Sequence, residues 1–296
     1  MEKHMQMKGI LPALVTPFNA SGAVDHDTLA NILEFQLKAG VNGFVPLGST
    51  GEYYALTHDE RRAILKTVLE VVGDRGMLIG GANGSCTREV IEQTRLVRDA
   101  GYTNVLIAPP YYALPSQEEL VGHYQAILEA VPDVNVVLYN YPVRTNVEVG
   151  FGVLDAFKDN PRVIGIKESS GNLLRAIEIG EKYKDHYQLS CGSDDQALDF
   201  FLWGATSWIC GPANCFVKPV VDFYNKFTAG DIRGAQDVMR SLFPVMATME
   251  AGKFVQKVKY GCELAGFKVG AARMPLQPLT DEEKADFRAV FEAAQG

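Results

Sequence analysis

The sequence predicts an α/β fold: a (β/α)8 TIM barrel over residues 1–225, followed by a C-terminal helical extension over 226–296. Three observations carry this expectation. Short apolar runs alternate with longer amphipathic stretches, the pattern of parallel strands joined by crossover helices. The alternation occurs eight times, which closes a barrel; a doubly wound sheet more often has about five to seven strands and a glycine-rich nucleotide loop. Neither G-x-G-x-x-G after the first strand nor G-x-x-x-x-G-K-S/T anywhere is present, so the marks of a nucleotide fold are missing.

In chain order, the strands are expected at ILPALVTPF (10–18), GFVPLG (43–48), MLIGGA (77–82), NVLIAPP (104–110), NVVLYNYP (135–142), VIGIKES (163–169), YQLSCGS (187–193) and TSWICGP (206–212). Between them lie HDTLANILEFQLKAG, THDERRAILKTVLEVVG, CTREVIEQTRLVRDAG and SQEELVGHYQAILEAV, with helical spacing of apolar residues. Ser, Thr or Asp near each start caps the first-turn N–H groups, and a closing glycine permits the turn that ends a helix. Past about residue 215 the strand patterns stop. VVDFYNKFTAGDIRGAQDVMRSLFPVMATMEAG and the remainder of the chain read as helices, too long to be the eighth barrel helix alone.

Composition is compatible with this fold. Of 296 residues, 47% are hydrophobic and 22% charged, which is ordinary for a globular chain that buries a core. The formal net charge of −8 argues against nucleic acid or an anionic membrane as a partner. No apolar run nears the roughly 20 residues of a membrane span, and MEKHMQMKG has no apolar signal core. Five widely spaced cysteines (Cys86, Cys191, Cys210, Cys215, Cys262) fit reduced thiols in a cytoplasmic protein. Cys210 and Cys215 have no histidine nearby, so ligand spacing points to no metal centre, and no cofactor is called for.

A (β/α)8 barrel gathers the C-terminal ends of its strands on one rim, where its chemistry takes place. The candidates are therefore the polar residues that end strands. GSTGE supplies Ser49 and Thr50 in a glycine-bounded turn whose backbone N–H groups suit a small carboxylate. PPYY ends in Tyr111 and Tyr112; YNYPVRT supplies Tyr139 and Arg144; CGSDD supplies Gly192, Asp194 and Asp195; the last strand carries Ile209 and Gly211. Taken singly, most have plain structural explanations as turn, packing, surface or capping residues. Lys167 is harder to explain that way. It follows Val-Ile-Gly-Ile, and an amine at the end of a dry strand is driven toward its neutral, nucleophilic form. A buried Lys167–Glu168 pair is the structural alternative.

LVTPF, GSTGE, PPYY…PSQEEL, YNYPVRT, GIKESSGN and RMPLQPL occur in this order. From about Met7 to its C-terminus the chain resembles the dihydrodipicolinate synthase/N-acetylneuraminate lyase superfamily of pyruvate-dependent class I aldolases. The resemblance implies that Lys167 forms a Schiff base with the keto carbon of pyruvate. It implies that Tyr139 shuttles protons with Thr50 and Tyr112, Tyr112 reaching in from an adjoining subunit of a homotetramer built as a dimer of dimers. Ser49 and Thr50 would hold the pyruvate carboxylate, with Gly192, Asp194 and Ile209 lining the substrate site.

Arg144 matches the synthase branch, where an arginine grips the carboxylate of L-aspartate 4-semialdehyde; a guanidinium fits that bidentate contact. The expected activity is accordingly the condensation of pyruvate with that aldehyde. The alternative is a catabolic aldolase or dehydratase for a 2-keto-3-deoxy sugar acid or related hydroxylated keto acid. Ser49 in place of threonine, Asn146 in place of glycine and the Asp194-Asp195 pair point that way, and the bulky Trp208 is expected to narrow the pocket. A keto-acid-binding homologue without turnover is a third reading, which the presence of Lys167, Tyr139, Thr50 and Tyr112 disfavours. His58, Glu89 and Tyr111 match the family's lysine-binding positions, whereas Tyr54, Arg61 and Ser85 depart from its lysine-sensitive members. Weak or absent lysine inhibition is therefore expected.

Overall fold

A computed structural model of the chain describes residues 6–295; residues 1–5, with which the expected barrel span begins, lie outside the described residues. The chain opens with β1 (Gly9–Pro12), α1 (His26–Ala39), β2 (Gly43–Phe44) and α2 (His58–Val72). It continues through β3 (Met77–Leu78), β4 (Gly80–Gly81), α3 (Thr87–Asp99), β5 (Asn104–Ile107), α4 (Gln117–Ala130) and β6 (Asn135–Asn140). Next come α5 (Pro142–Thr145), α6 (Phe151–Phe157), β7 (Val163–Glu168), α7 (Leu173–Lys182), β8 (Gln188–Cys191), α8 (Ala197–Leu202) and β9 (Ser207–Cys210). The helices α9 (Val217–Thr228), α10 (Ile232–Glu250), α11 (Phe254–Leu264) and α12 (Asp281–Ala293) end it.

With β3 and β4 counted as one interrupted strand, this is eight strand–helix repeats and then further helices. Each expected strand region contains an observed strand, but the hydrogen-bonded ladders are shorter. The run at 10–18 leaves the strand after Pro12, while Leu14, Val15 and Phe18 remain buried beyond it. Apolar runs report burial and so overrun the ladder. The run ending at Pro142 turns helical there, because proline's fixed φ suits the first position of a helix.

The chain's contacts gather in two compact units. The first comprises Met77–Ile209 with the N-terminal segment ending at Lys8. Its strands pair in parallel in the order β9-β8-β7-β6-β5-β4. Strands covered on both faces have no polar side to show, and NVLI in β5 and VIGIKE in β7 are buried at every position. Ile107, Leu138, Ile166, Phe200 and Trp208 are among the core residues. The β6–β7 register sets Tyr139 opposite Lys167 and Asn140 opposite Glu168.

The second unit comprises Gly9–Gly76 and Cys210–Gly296. Its core includes Ile32, Leu33, Phe44, Leu65, Phe216, Phe223, Leu242 and Phe287. Buried Asn214 ties loose backbone together: its Nδ2 donates to Ala13 O and Gly211 O at 2.8 Å each, and its Oδ1 accepts Val15 N–H at 3.1 Å. Helix α2 begins with a capping box in which Thr57 and Glu60 satisfy each other's backbone N–H groups. Glu60 also accepts from Arg273 NH1 at 2.8 Å. No helix among the described residues is long and apolar enough to cross a membrane.

That double use of Glu60 gives a pH signature. The Arg273 guanidinium, with help from Thr57, holds its carboxyl down at about 2 against an ordinary 4.5. A folded-state value below the unfolded one contributes stability above about pH 4.5, lost as pH falls toward 2. Denaturant unfolding of Glu60→Gln should show a deficit of about 1–3 kcal/mol near neutrality, shrinking across that window. A pH-independent difference would contradict the assignment.

Candidate active site

Lys167 is the fifth residue of β7, is 7% exposed, and takes part in none of the ion pairs among the described residues. Its Nζ lies 4.5 Å from the ring centroid of Tyr139, its register partner on β6. Successive side chains on a strand point to opposite faces, so Glu168 turns away from the amine. It is fully buried and accepts from Asn140 Nδ2 at 3.1 and 2.8 Å, Ser170 N–H at 2.7 Å and Arg175 Nε at 2.8 Å. Arg175 in turn donates to Glu148 at 2.7 Å and to Val149 O, and lies 4.9 Å from the Phe151 ring centroid. The structural alternative for the lysine therefore fails: the charge on Glu168 is neutralised by Arg175, one face away.

This cluster lies beside the Lys167–Tyr139 pair in the sheet. Asn140 and Glu168 join the rung of the sheet next to Tyr139 and Lys167, and Asn140 Oδ1 accepts Val149 N–H at 2.9 Å. A buried ion pair contributes only when its remaining hydrogen-bonding capacity is met, and here backbone and amide groups meet it. Gly192 completes the surroundings of the amine. A Cβ there would stand 2.8 Å from Lys167 Cε and 2.9 Å from Glu168 O, and would overlap Ser169 Oγ. Only glycine lets the lysine side chain pass.

The other candidates of this unit are arranged around β6, β8 and β9. Arg144 lies on α5, is exposed and makes no ion pair among the described residues; its Cζ is 5.8 Å from the Tyr141 ring centroid. Tyr141 lies 5.8 Å from the Tyr139 ring. Asn146 ends α5 in the left-handed conformation at φ 54°, a role asparagine fills where glycine is usual. Asp194 is buried, and its Oδ1 accepts the indole N–H of Trp208 at 2.9 Å. Trp208 is fully buried and Ile209 nearly so. Tyr112 is 94% exposed at φ 72°, a backbone region costly for a bulky residue.

In the second unit, Ser49 and Thr50 sit in a turn closed by Gly51 N–H to Gly48 O at 3.1 Å and Glu52 N–H to Ser49 O at 3.2 Å. Two left-handed residues other than glycine flank it, Leu47 at φ 60° and Glu52 at φ 56°. The N–H groups of Ser49 and Thr50 donate to no protein acceptor among the described residues. Two adjacent amides without a protein acceptor are able to donate to an anion. Glu52 is buried against Lys259 and the backbone of Arg273.

Lys167, Tyr139 and Gly192 are thus brought together; Arg144 stands near by way of Tyr141, Asp194 is engaged by Trp208, and Tyr112 points outward. Sequence reasoning missed two clusters, Asn140–Glu168–Arg175 and Glu52–Lys259–Arg273. Arg175 looks like an ordinary charged residue of α7. The RMPLQPL segment did single out the neighbourhood of Arg273, without indicating its target.

Residues 6–294 match the model of the dihydrodipicolinate synthetase family. The chain is 33% identical over 290 residues to the 4-hydroxy-tetrahydrodipicolinate synthase of Bartonella bacilliformis, covering 97% of this chain and 98% of that one. A solved dihydrodipicolinate synthase of Acinetobacter baumannii, chloride-inhibited and complexed with pyruvate, superposes with TM-score 0.94 at 29% identity, covering 98% and 99% of the two chains. A dihydrodipicolinate synthase variant described as monomeric superposes with TM-score 0.93 at 28% identity, covering 98% and 97%. The fold class is that of the (β/α)8 barrel with C-terminal helices. The chain belongs to the dihydrodipicolinate synthetase family, whose named members are synthases acting on small molecules.

The packing at Gly192 is open to test. Gly192→Ala should lower stability by about 1–3 kcal/mol in denaturant unfolding. An unchanged unfolding midpoint would show that the lysine does not need that gap.

Proposed function

We propose that the protein condenses pyruvate with L-aspartate 4-semialdehyde through a Schiff base on Lys167, as the names of its relatives suggest for them. The observation that carries the reading is the buried amine of Lys167, unpaired with any carboxylate among the described residues and set against the Tyr139 ring. The amine attacks the keto carbon of pyruvate, water leaves, and the iminium draws electrons so that a methyl proton departs and an enamine forms. The enamine carbon bonds to the aldehyde carbon of the second substrate, whose oxygen takes a proton, and the iminium on Lys167 is restored. The amino group of that substrate then attacks the iminium carbon, closing the ring and releasing the Lys167 amine. A phenol can donate and accept in turn, which suits Tyr139 as the shuttle, with Thr50 and Tyr112 as its relay partners. Ser49 and Thr50 take the pyruvate carboxylate, and Gly192 and Ile209 border the substrate.

Arg144 is the clamp for the aldehyde's carboxylate in this reading. Its exposed guanidinium, free of any ion pair among the described residues, supports that role. Asp194 Oδ1 already takes the Trp208 indole N–H, which leaves less of its carboxylate for sugar hydroxyls and supports the aldehyde reading. The strained, exposed Tyr112 supports contact with a second subunit and hence a homotetramer made of two dimers. A cytoplasmic location belongs to this reading, since five widely spaced cysteines suit reduced thiols.

Borohydride with pyruvate should leave a mass adduct on Lys167; its absence would end the Schiff-base reading. Turnover with aspartate semialdehyde should exceed that with any of a panel of 2-keto-3-deoxy acids. Arg144→Ala should lower kcat/KM for the aldehyde on the order of a hundredfold while the pyruvate adduct still forms. Undiminished synthase activity in that variant would remove the clamp assignment.

Lysine is proposed to inhibit weakly or not at all. The Glu89 carboxylate already accepts from Ser85 N–H at 2.7 Å and Ser85 Oγ at 2.9 Å. The Arg61 guanidinium donates to Tyr53 O at 2.8 Å. Millimolar lysine should change the rate by less than about twofold; a saturable inhibition curve in that range would contradict this.

A further inference from the structure

We propose that Lys259 and Arg273, which lie beyond the last strand–helix repeat, are positioning residues for the Ser49–Thr50 turn and act through the carboxylate of Glu52. The proposal rests on the reading in which that turn takes the carboxylate of pyruvate.

Glu52 is the last residue of the turn. Its side chain is fully buried and its backbone left-handed, at φ 56° and ψ 37°, a conformation that persists for such a residue only when its surroundings over-determine it. The surroundings do. Lys259 Nζ, on α11, lies 2.7 Å from Oε1, and the Arg273 backbone N–H donates to Oε2 at 2.7 Å. Lys259 Nζ also donates to Ala271 O at 3.1 Å and sits 4.1 Å from the Phe18 ring centroid. The Arg273 guanidinium lies 4.3 Å from the same centroid and donates to Ala55 O and Gly22 O at 2.8 Å each. Glu52 and Arg273 stand 221 positions apart in sequence.

The path from this cluster to the turn is short. Glu52 N–H donates to Ser49 O at 3.2 Å, so the dihedral angles of Glu52 set the direction of the Ser49 carbonyl and of the amides beside it. On the other side Thr16 Oγ1 donates to Gly51 O at 2.7 Å, and a Cβ at Gly51 would stand 2.8 Å from Leu14 O. The turn is gripped from both sides before any ligand arrives. Amides held in this way need no ordering when a carboxylate binds. Releasing Glu52 lets two strained residues, Leu47 and Glu52, relax and turns the amides away.

A merely structural ion pair predicts something different. Replacing a buried pair by neutral residues of similar volume often leaves stability unchanged, and a structural role would then leave pyruvate binding unchanged too. The test is the double variant Glu52→Gln/Lys259→Met, read by thermal unfolding and by the pyruvate dependence of borohydride trapping at Lys167. The unfolding midpoint should stay near that of the parent. The half-saturating pyruvate concentration and the KM for pyruvate should rise on the order of tenfold. The KM for the second substrate should remain within about twofold. Lys259→Gln, which removes the charge and keeps a donor, should move pyruvate saturation in the same direction, and serves if the double variant does not fold. Parent-like pyruvate saturation in either folded variant overturns the proposal while leaving the Schiff-base reading in place. Absence of any adduct in the parent overturns that reading and the proposal together.

Discussion

The alternation of side chains at the end of β7 is the constraint on which the candidate site depends. Lys167 and Glu168 are adjacent in sequence, yet strand geometry sends them to opposite faces. One face receives an amine beside Tyr139, the other a carboxylate locked by Asn140, Ser170 and Arg175. A one-residue slip in the β6–β7 register would exchange those environments, placing the carboxylate beside the phenol. The Asn140–Glu168 hydrogen bonds span the rung next to Tyr139 and Lys167 and oppose that slip. The buried Arg175 is therefore better understood as part of what aims Lys167 than as an isolated core charge.

A similar economy governs the other polar clusters. Buried charge is tolerated in this protein where backbone groups complete the shell: Val149 O for Arg175, the Arg273 N–H for Glu52 and Ala271 O for Lys259. Because loops supply these groups, each cluster couples a charged side chain to the conformation of a loop. The turn at Gly48–Gly51 is made this way. Left-handed residues mark its ends, Leu47 and Glu52, as Asn146 marks the end of the one-turn helix α5. Asn146, which by sequence reads as a departure toward a different substrate, and Trp208, which reads as narrowing the pocket, have local structural duties. One satisfies a left-handed cap and the other supplies an indole donor to Asp194.

Much of this is legible from residues alone. VIGIK announces a dry strand ending in an amine, and GSTGE announces a turn, because apolar runs and glycine pairs act through local physics. Strand lengths come out too long from sequence, since Leu14, Val15 and Phe18 are buried without belonging to a ladder. Partner choice is not readable. Nothing in KESSGN says that the glutamate waits for Arg175 rather than Lys167, and nothing near GSTGE names Lys259.

The order of residues alone carries the eight-fold alternation, the strand ends that bear Lys167, Tyr139, Arg144 and the Ser49–Thr50 turn, and the family to which these motifs belong. Those features depend on periodicity and short-range chemistry. The folded chain was needed to show which charges pair, that Gly192 leaves room for the lysine, and that Glu52 is gripped by residues more than two hundred positions away. Such contacts depend on where folding brings distant side chains together, and burial then makes an unpaired charge too costly to leave.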